Sequence, residues 1–218
     1  MPRLRLREDV FMARADGLLI FLDLGGDRYF ALNSELSSRL QSTIDANGEG
    51  ADEDIARRLR QARAIAEPQT GGRVFAPTQT QVPFREVDRG RAGCLGAVSA
   101  AACGWRAERA LSRLHLADVV CRRRQERLHG IGQAADERGL IQAASVFAAA
   151  RALRGARDAC LNEALASLYY LGRRGSAADW VFAVKGAPFA AHCWIQLGDI
   201  VLNDSVENVR AYTPIMVA

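Results

Sequence analysis

Apolar and polar positions alternate in strand fashion over the first third of the chain. VFMARA (Val10–Ala15), LLIFLDL (Leu18–Leu24) and RYFAL (Arg28–Leu32) are β-branched or aromatic runs separated by Asp16-Gly17 and by Gly25-Gly26-Asp27. Such runs, punctuated by turn residues, predict three short antiparallel strands. Asn33 or Ser34 can then cap a helix to about Asp45, with Leu36, Leu40 and Ile44 recurring every four residues on one face. After the Asn47-Gly48-Glu49-Gly50 break, a second helix from about Asp52 to Ala66 places Ile55, Leu59 and Ala62 inward and Arg57, Arg58, Arg60 and Arg63 largely outward. The pattern is a small sheet with helices behind it.

From Pro68 to Gly93 the chain holds three of its six prolines and little periodicity, so it reads as a linker with one short strand at Arg73–Ala76. Downstream, Ala92–Cys103, Arg106–Leu128 and Asp136–Arg154 have helical patterns, and a fourth helix opens near Asp158. The texture then changes: ADWVFAVKG, FAAHCWIQLG and DIVLND are strand-like, broken at Gly186-Ala187-Pro188 and Gly198-Asp199. The expected class is α+β in two domains. Residues 1–76 form a small winged-helix-like domain of three antiparallel strands plus helices, 77–92 a linker, and 93–218 a domain of helices followed by an antiparallel sheet.

Composition adds exclusions. With 49% apolar and 25% charged residues among 218, the chain is neither disordered nor collagen-like. Its apolar-looking uncharged run Leu140–Ala150, like every other uncharged run, falls short of the roughly 18 residues a membrane span needs, and its charged start lacks the apolar core of a secretory signal. A cytoplasmic protein is expected. Five cysteines at irregular spacing without a CxxC, and three histidines without ligand spacing, predict neither a disulfide framework nor a metal site. All but one of the 29 basic residues are arginine, a bias that weakens any step from arginine content to nucleic acid. Residues 1–88 carry 12 basic and 14 acidic side chains, net −2, and the remainder 17 and 11, net +6. Arg122-Arg123-Arg124 reads as the solvated face of a helix.

Three residues can be assembled into a reactive site. Asp158 is a candidate N-cap that puts Cys160 in the first turn of DACLNEALASLYYLG, where the helix dipole and unpaired N–H groups favour a thiolate. His192 is the candidate base and Asp204 the group that orients it. Strand parity places His192, Trp194 and Gln196 on one face and Cys193 on the other, as a core residue. Parity also sets a condition. A two-residue turn at Gly198-Asp199 sets His192 opposite position 205, whereas a three-residue turn, or an equivalent one-residue bulge, sets it opposite Asp204. A three-residue turn or an equivalent one-residue bulge is therefore predicted, and a two-residue turn without a bulge would break the pairing. A single cysteine in an apolar helix is usually a small buried hydrophobe and a strand histidine usually structural; it is the order helix start, strand, next strand that points to chemistry.

These residues carry a resemblance. CLNEALASLYYLGRRG, WVFAVKG and PFAAHCWIQLGDIVLNDS resemble the leader peptidases of lasso-peptide biosynthesis, papain-related and transglutaminase-like cysteine proteases whose Cys, His and Asp match Cys160, His192 and Asp204 at spacings of 32 and 12 residues. Cys193 stands where that family more often has a small residue such as Ala. The first third, with LLIFLDLGGDRYFALN followed by two helices, resembles the PqqD-like precursor-recognition element, a small winged-helix module that binds leader peptides. The resemblance implies hydrolysis of the amide between leader and core, no metal or cofactor for the peptidase itself, and a partner cyclase resembling asparagine synthetase that uses ATP. No nucleic acid partner is expected, the net −2 of the first part arguing against it, and the run lengths predict no membrane span. An extended leader would add to the edge of the N-terminal sheet, lined by Asp27, Tyr29 and Ala31, with Arg58, Leu59 and Ala62 as the other wall. The backbone N–H of Cys160 is one natural oxyanion donor. Rival readings are a Cys-His-Asp acyltransferase of the transglutaminase or arylamine acetyltransferase type, a winged-helix DNA binder, and a non-catalytic leader-binding scaffold.

Overall fold

The computed structural model describes residues 5–45, 53–66, 72, 75, 76, 78, 80, 85, 86, 94–129, 139, 141–147, 160–176 and 178–218. They form two compact units. The first comprises Met1–Gln79 with Val184–Ala190 and Thr213–Met216; the second comprises Thr80–Ala183, Ala191–Tyr212 and Val217–Ala218.

In the first unit, strands β1 (Val10–Ala15), β2 (Leu18–Asp23) and β3 (Arg28–Ala31) form an antiparallel sheet in that order. Ala15 pairs with Leu18, so the β1–β2 turn has two residues, Asp16 (φ 50°) and Gly17 (φ 79°). Both lie in the left-handed region, the geometry that matches strand twist and favours Asp-Gly. The Asp16 carboxylate also accepts the N–H groups of Gly186 (2.8 Å) and Ala187 (3.1 Å), which hold its pKa below the ordinary carboxylate value. Helix α1 (Ser34–Asp45) is capped by Asn33, whose Oδ1 accepts the Leu36 N–H at 2.9 Å. Helix α2 (Glu53–Gln61) closes the core, with Ile55 and Leu59 packed against Leu36 and Leu40 of α1 and Leu19 and Phe21 of β2.

The second helix stops at Gln61, short of the predicted Ala66. Arg63 turns left-handed (φ 56°), Ala64 N–H closes back on the Leu59 carbonyl (2.8 Å), and Ile65 leaves to bridge Leu6. A non-glycine residue performs the reversal, so no glycine marks it in the sequence.

The second unit begins with β4 (Arg85–Glu86), inside the stretch expected to be a linker, followed by α3 (Cys94–Arg113), α4 (Leu116–His129) and a helical segment α5 (141–147). The predicted break at residues 104–105 is absent. Cys103 and Ala107 are buried and carry α3 through Gly104, while the chain turns at Leu114-His115, within the predicted Arg106–Leu128 helix. Most of the predicted Asp136–Arg154 helix, part of Arg73–Ala76, and Asp158 lie outside the described residues. There follow α6 (Cys160–Gly172), β5 (Asp179–Lys185), β6 (Ala190–Leu197), β7 (Ile200–Val201), α7 (Val206–Arg210) and β8 (Thr213–Val217). The five-stranded sheet runs β4-β7-β6-β5-β8. Val181 and Ala183 of β5, Trp194 of β6, Val201 of β7 and Val209 of α7 form one apolar cluster. Among the described residues, no helix is long and apolar enough to cross a membrane.

Candidate active site

β6 sets the position of His192, and the chain beyond β7 sets that of Asp204. Gln196 pairs with Val201 and Leu197 with Ile200, so the β6–β7 turn has two residues, with Gly198 left-handed at φ 58°. Of the two expected forms, the three-residue turn is not the one taken. The register continues through the Leu202 N–H, which donates to the Ile195 carbonyl at 3.0 Å. It then fails: the Ile195 N–H donates to the side-chain Oδ1 of Asn203 (2.7 Å), and the chain bends over 202–204. This bend is the parity change that the turn does not supply.

The bend aims the Asp204 carboxylate at the histidine, with Oδ2 2.5 Å from His192 Nε2. The carboxyl group is only 5% exposed and is held at two further points. Its Oδ2 accepts the Asn208 amide at 2.9 Å, and its Oδ1 accepts the Ser205 N–H at 2.7 Å. Ser205 in turn caps α7 by accepting the Asn208 N–H at 3.2 Å, which fixes the carboxamide one helical turn beyond Asp204. The imidazole lies between Tyr212 and Trp194, at ring-centroid distances of 5.1 and 6.1 Å. Trp194 donates to Gln196 Oε1 (3.0 Å), and Gln196 to the Gly198 carbonyl (2.6 Å), tying this face of β6 to the turn.

Cys160 is the first residue of α6, half-buried and free. Its sulfur is hydrogen-bonded by three groups: the Cys193 thiol, the Cys193 backbone N–H and the His192 side chain. Cys193 is buried and, as expected, not in the His192 position, but it does not point away from the site. β7 ends at Val201, opposite Gln196, so the edge of β6 at residues 192–193 is not covered by it, and the Cys193 N–H meets the Cys160 sulfur there.

The electrostatics follow from these contacts. Hydrogen bonding from the Cys193 thiol, then from His192, outweighs burial and lowers the Cys160 thiol to about 4. Burial opposes the charge on His192, but hydrogen bonds and opposite charge from Asp204 and Cys160 raise it to about 9. Burial also opposes ionisation of Asp204, yet His192, the Ser205 N–H and Asn208 hold its pKa below the ordinary value. The Cys193 thiol is pushed upward by the adjacent Cys160 and by burial, and so remains the donor of the pair. The arrangement favours a thiolate beside an imidazolium.

Sequence reasoning brought together Cys160, His192 and Asp204 but missed Asn203, Asn208 and Cys193. For Asn208 a signal existed: Ser205 with Asn208 three residues on is a helix-cap pattern that puts the amide four residues after Asp204. The other predicted positions lie in the first unit. Asp27 (φ 47°) sits in the β2–β3 turn, and Tyr29 (half-buried) and Ala31 (exposed) lie on the terminal strand β3. Arg58 is exposed and paired with Asp54 at 3.5 Å. Ala62, half-buried, accepts Arg28 at its carbonyl (2.6 Å). Leu59 is fully buried in the core and cannot wall a solvent-facing groove, because its place on the inner face of α2 seals it beneath α1 and β2. Among the described residues, no three His, Cys, Asp or Glu side chains are grouped to hold a metal ion.

A helix-borne cysteine facing a strand-borne histidine that an aspartate beyond the strand orients is an arrangement of thiol-dependent acyl-transfer and hydrolytic chemistry. The chain belongs to the transglutaminase-like superfamily, whose model matches residues 86–217, from β4 through β8. Members of that superfamily are typically cysteine-dependent enzymes, proteases or acyltransferases. No curated protein and no solved structure matches the chain.

Proposed function

We propose that the protein is a cysteine peptidase that binds and removes the leader of a ribosomally made lasso-peptide precursor, freeing the core N-terminus for macrolactam formation by an ATP-using partner cyclase. The observation that carries the reading is the contact chain from the Cys160 thiol to His192 and from His192 to Asp204 at 2.5 Å. The Cys160 thiolate attacks the carbonyl carbon at the end of the leader. Negative charge moves onto the carbonyl oxygen, where N–H groups of the first turn of α6, including that of Cys160, can receive it. His192, held protonated by Asp204, gives its proton to the departing core amine as the amide bond breaks. The neutral imidazole then takes a proton from water, the water oxygen attacks the thioester, and the leader leaves as a carboxylate with the thiolate restored.

Recognition falls to β3. The Leu32 N–H donates to the Leu19 carbonyl at 3.0 Å, and by antiparallel alternation Phe30 and Arg28 also direct their backbone to β2 while Tyr29 and Ala31 turn theirs to the sheet edge. An extended leader adding there would be flanked by Arg58 and Ala62 of the α2 end.

Mass spectrometry of a lasso-precursor peptide carrying leader and core, incubated with the wild type and with Cys160→Ala, tests the reading. Free leader and core that vanish in the variant support it. Leader joined to an added amine in place of free leader would assign the acyltransferase chemistry that the superfamily also contains. Leader bound but intact with both proteins, even with cyclase and ATP present, would assign a scaffold.

A further inference from the structure

Helix α3 presents two unlike sides. Ala100, Cys103 and Ala107 are buried, while Val98 and Trp105 are 70% and 63% exposed and Ala101 and Ala102 lie open beside them. A turn further on, the exposed stripe becomes basic. Arg106, Arg109 and Arg113 of α3 meet Arg122 and Arg123 of α4 and Tyr169 of α6 around a cleft of about 270 Å³.

Among the described residues, the only acidic side chain lining that cleft is Glu126, which pairs with Arg123. Arg106 lies over the Tyr169 ring at 4.2 Å and Arg109 over the Trp105 ring at 5.4 Å, so aromatic faces hold two guanidiniums in place. None of Arg106, Arg109, Arg113 and Arg122 has a carboxylate partner among the described residues. An arginine-rich composition scatters cations over a surface; it does not gather four unneutralised ones in one concavity, where like charges repel and raise affinity for an anion.

The apolar half of the stripe selects among anions. Val98, Ala101 and Ala102 offer aliphatic surface that a phosphate backbone cannot use, whereas a polypeptide carrying both carboxylates and apolar side chains satisfies both halves. Exposed Trp and Arg side by side are also the residues in which protein interfaces are enriched. Tyr169 stands nine residues from Cys160, about 13 Å along α6, so an occupied cleft leaves the thiol open.

We propose that α3 and its arginine cleft are a docking surface for an acidic, amphipathic polypeptide segment of a partner protein, whose apolar side chains cover Val98 and Trp105 and whose carboxylates enter among Arg106, Arg109, Arg113 and Arg122. This surface is independent of the peptidase reading.

The test uses the full chain and a short fluorescein-labelled helical peptide with Glu on one face and Leu and Phe on the other. Controls are the same peptide with Gln for Glu and a single-stranded oligothymidine of equal charge. Fluorescence anisotropy should give the acidic peptide at least about tenfold tighter binding than the Gln peptide, weakening as salt rises. Trp105 emission should shift to the blue, a signal of its own because Trp180 and Trp194 are already buried. Arg109→Ser with Arg113→Ser should weaken binding about tenfold or more, and Trp105→Ser should do so through the apolar half. Equal binding of the acidic and Gln peptides overturns the proposal. So does oligothymidine binding as tightly as the acidic peptide with the same arginine dependence, which would assign the cleft to nucleic acid. Should the double variant fail to fold, the peptide pair and the Trp105 signal on the wild type still decide.

Discussion

The thiol of Cys193 lies against the thiol of Cys160, although Cys193 follows His192 on the strand and alternates away from it. The buried thiol keeps its proton and donates, and the half-buried one accepts as a thiolate. Cys193→Ala removes the largest single influence lowering Cys160 and should raise its pKa above about 4, still below an ordinary thiol because His192 remains. Cys193→Ser, which keeps a donor, should restore part of the shift. The pH dependence of iodoacetamide alkylation at Cys160 reads both; identical profiles for the wild type and Cys193→Ala would contradict the contact.

The reactive pair sets a pH window. Cys160, lowered to about 4, is thiolate above that pH, and His192, raised to about 9, is imidazolium below it. Both are charged between the two values, so kcat/KM for a peptide substrate should rise through an acid limb near 4 and fall through a basic limb near 9. A single acid limb near 6.5 would mean that the histidine works as a neutral base with no preformed ion pair.

Cys160→Ala and His192→Ala should each abolish turnover, a loss on the order of 10³-fold or more. Asn208→Ala should act differently. It removes an amide that anchors the Asp204 carboxylate, which His192 and the Ser205 N–H still keep ionised, so the basic limb should not move toward neutrality, while looser placement of the carboxylate against the imidazole should cost about tenfold or less in kcat near pH 6. Rescue by Asn208→Gln would not be expected, because the longer amide overshoots a carboxylate one turn away. Wild-type kcat in Asn208→Ala would remove the residue from this role.

Asn203→Ala should leave the Ile195 N–H without its acceptor, at a cost of about 1 kcal/mol, a fall of roughly 2–4 °C in Tm. Because the same contact forms the bend that brings Asp204 to His192, kcat should drop beyond what the stability loss accounts for. A fall in Tm with wild-type kcat would show that the bend holds without it.

How far the sequence reveals the structure depends on where each constraint resides. The first sheet was legible because its turns are local: Asp16-Gly17 has the residues that a two-residue hairpin demands, and alternation did the rest. The end of α2 was hidden because Arg63, not a glycine, turns left-handed. At the site, the types and order of Cys160, His192 and Asp204 were readable from spacing. Parity counting showed that one irregularity must fall between the last two but could not place it, because the break is made beyond the turn by a side chain, Asn203, standing where a carbonyl should be. Cys193 escaped for a related reason: alternation describes side-chain faces, whereas its N–H points along the sheet plane, past the end of β7.

That short strand also governs which lengths the loop can tolerate. The two-residue hairpin at Gly198-Asp199 fixes which face every later residue takes, and the bend at 202–204 corrects that face once. A single residue inserted at the hairpin would apply a second correction and turn Asp204 away from the histidine, whereas inserting two would preserve its direction while lengthening the ladder. Length variation between His192 and Asp204 should therefore be tolerated in even steps, and the odd steps confined to the bend itself.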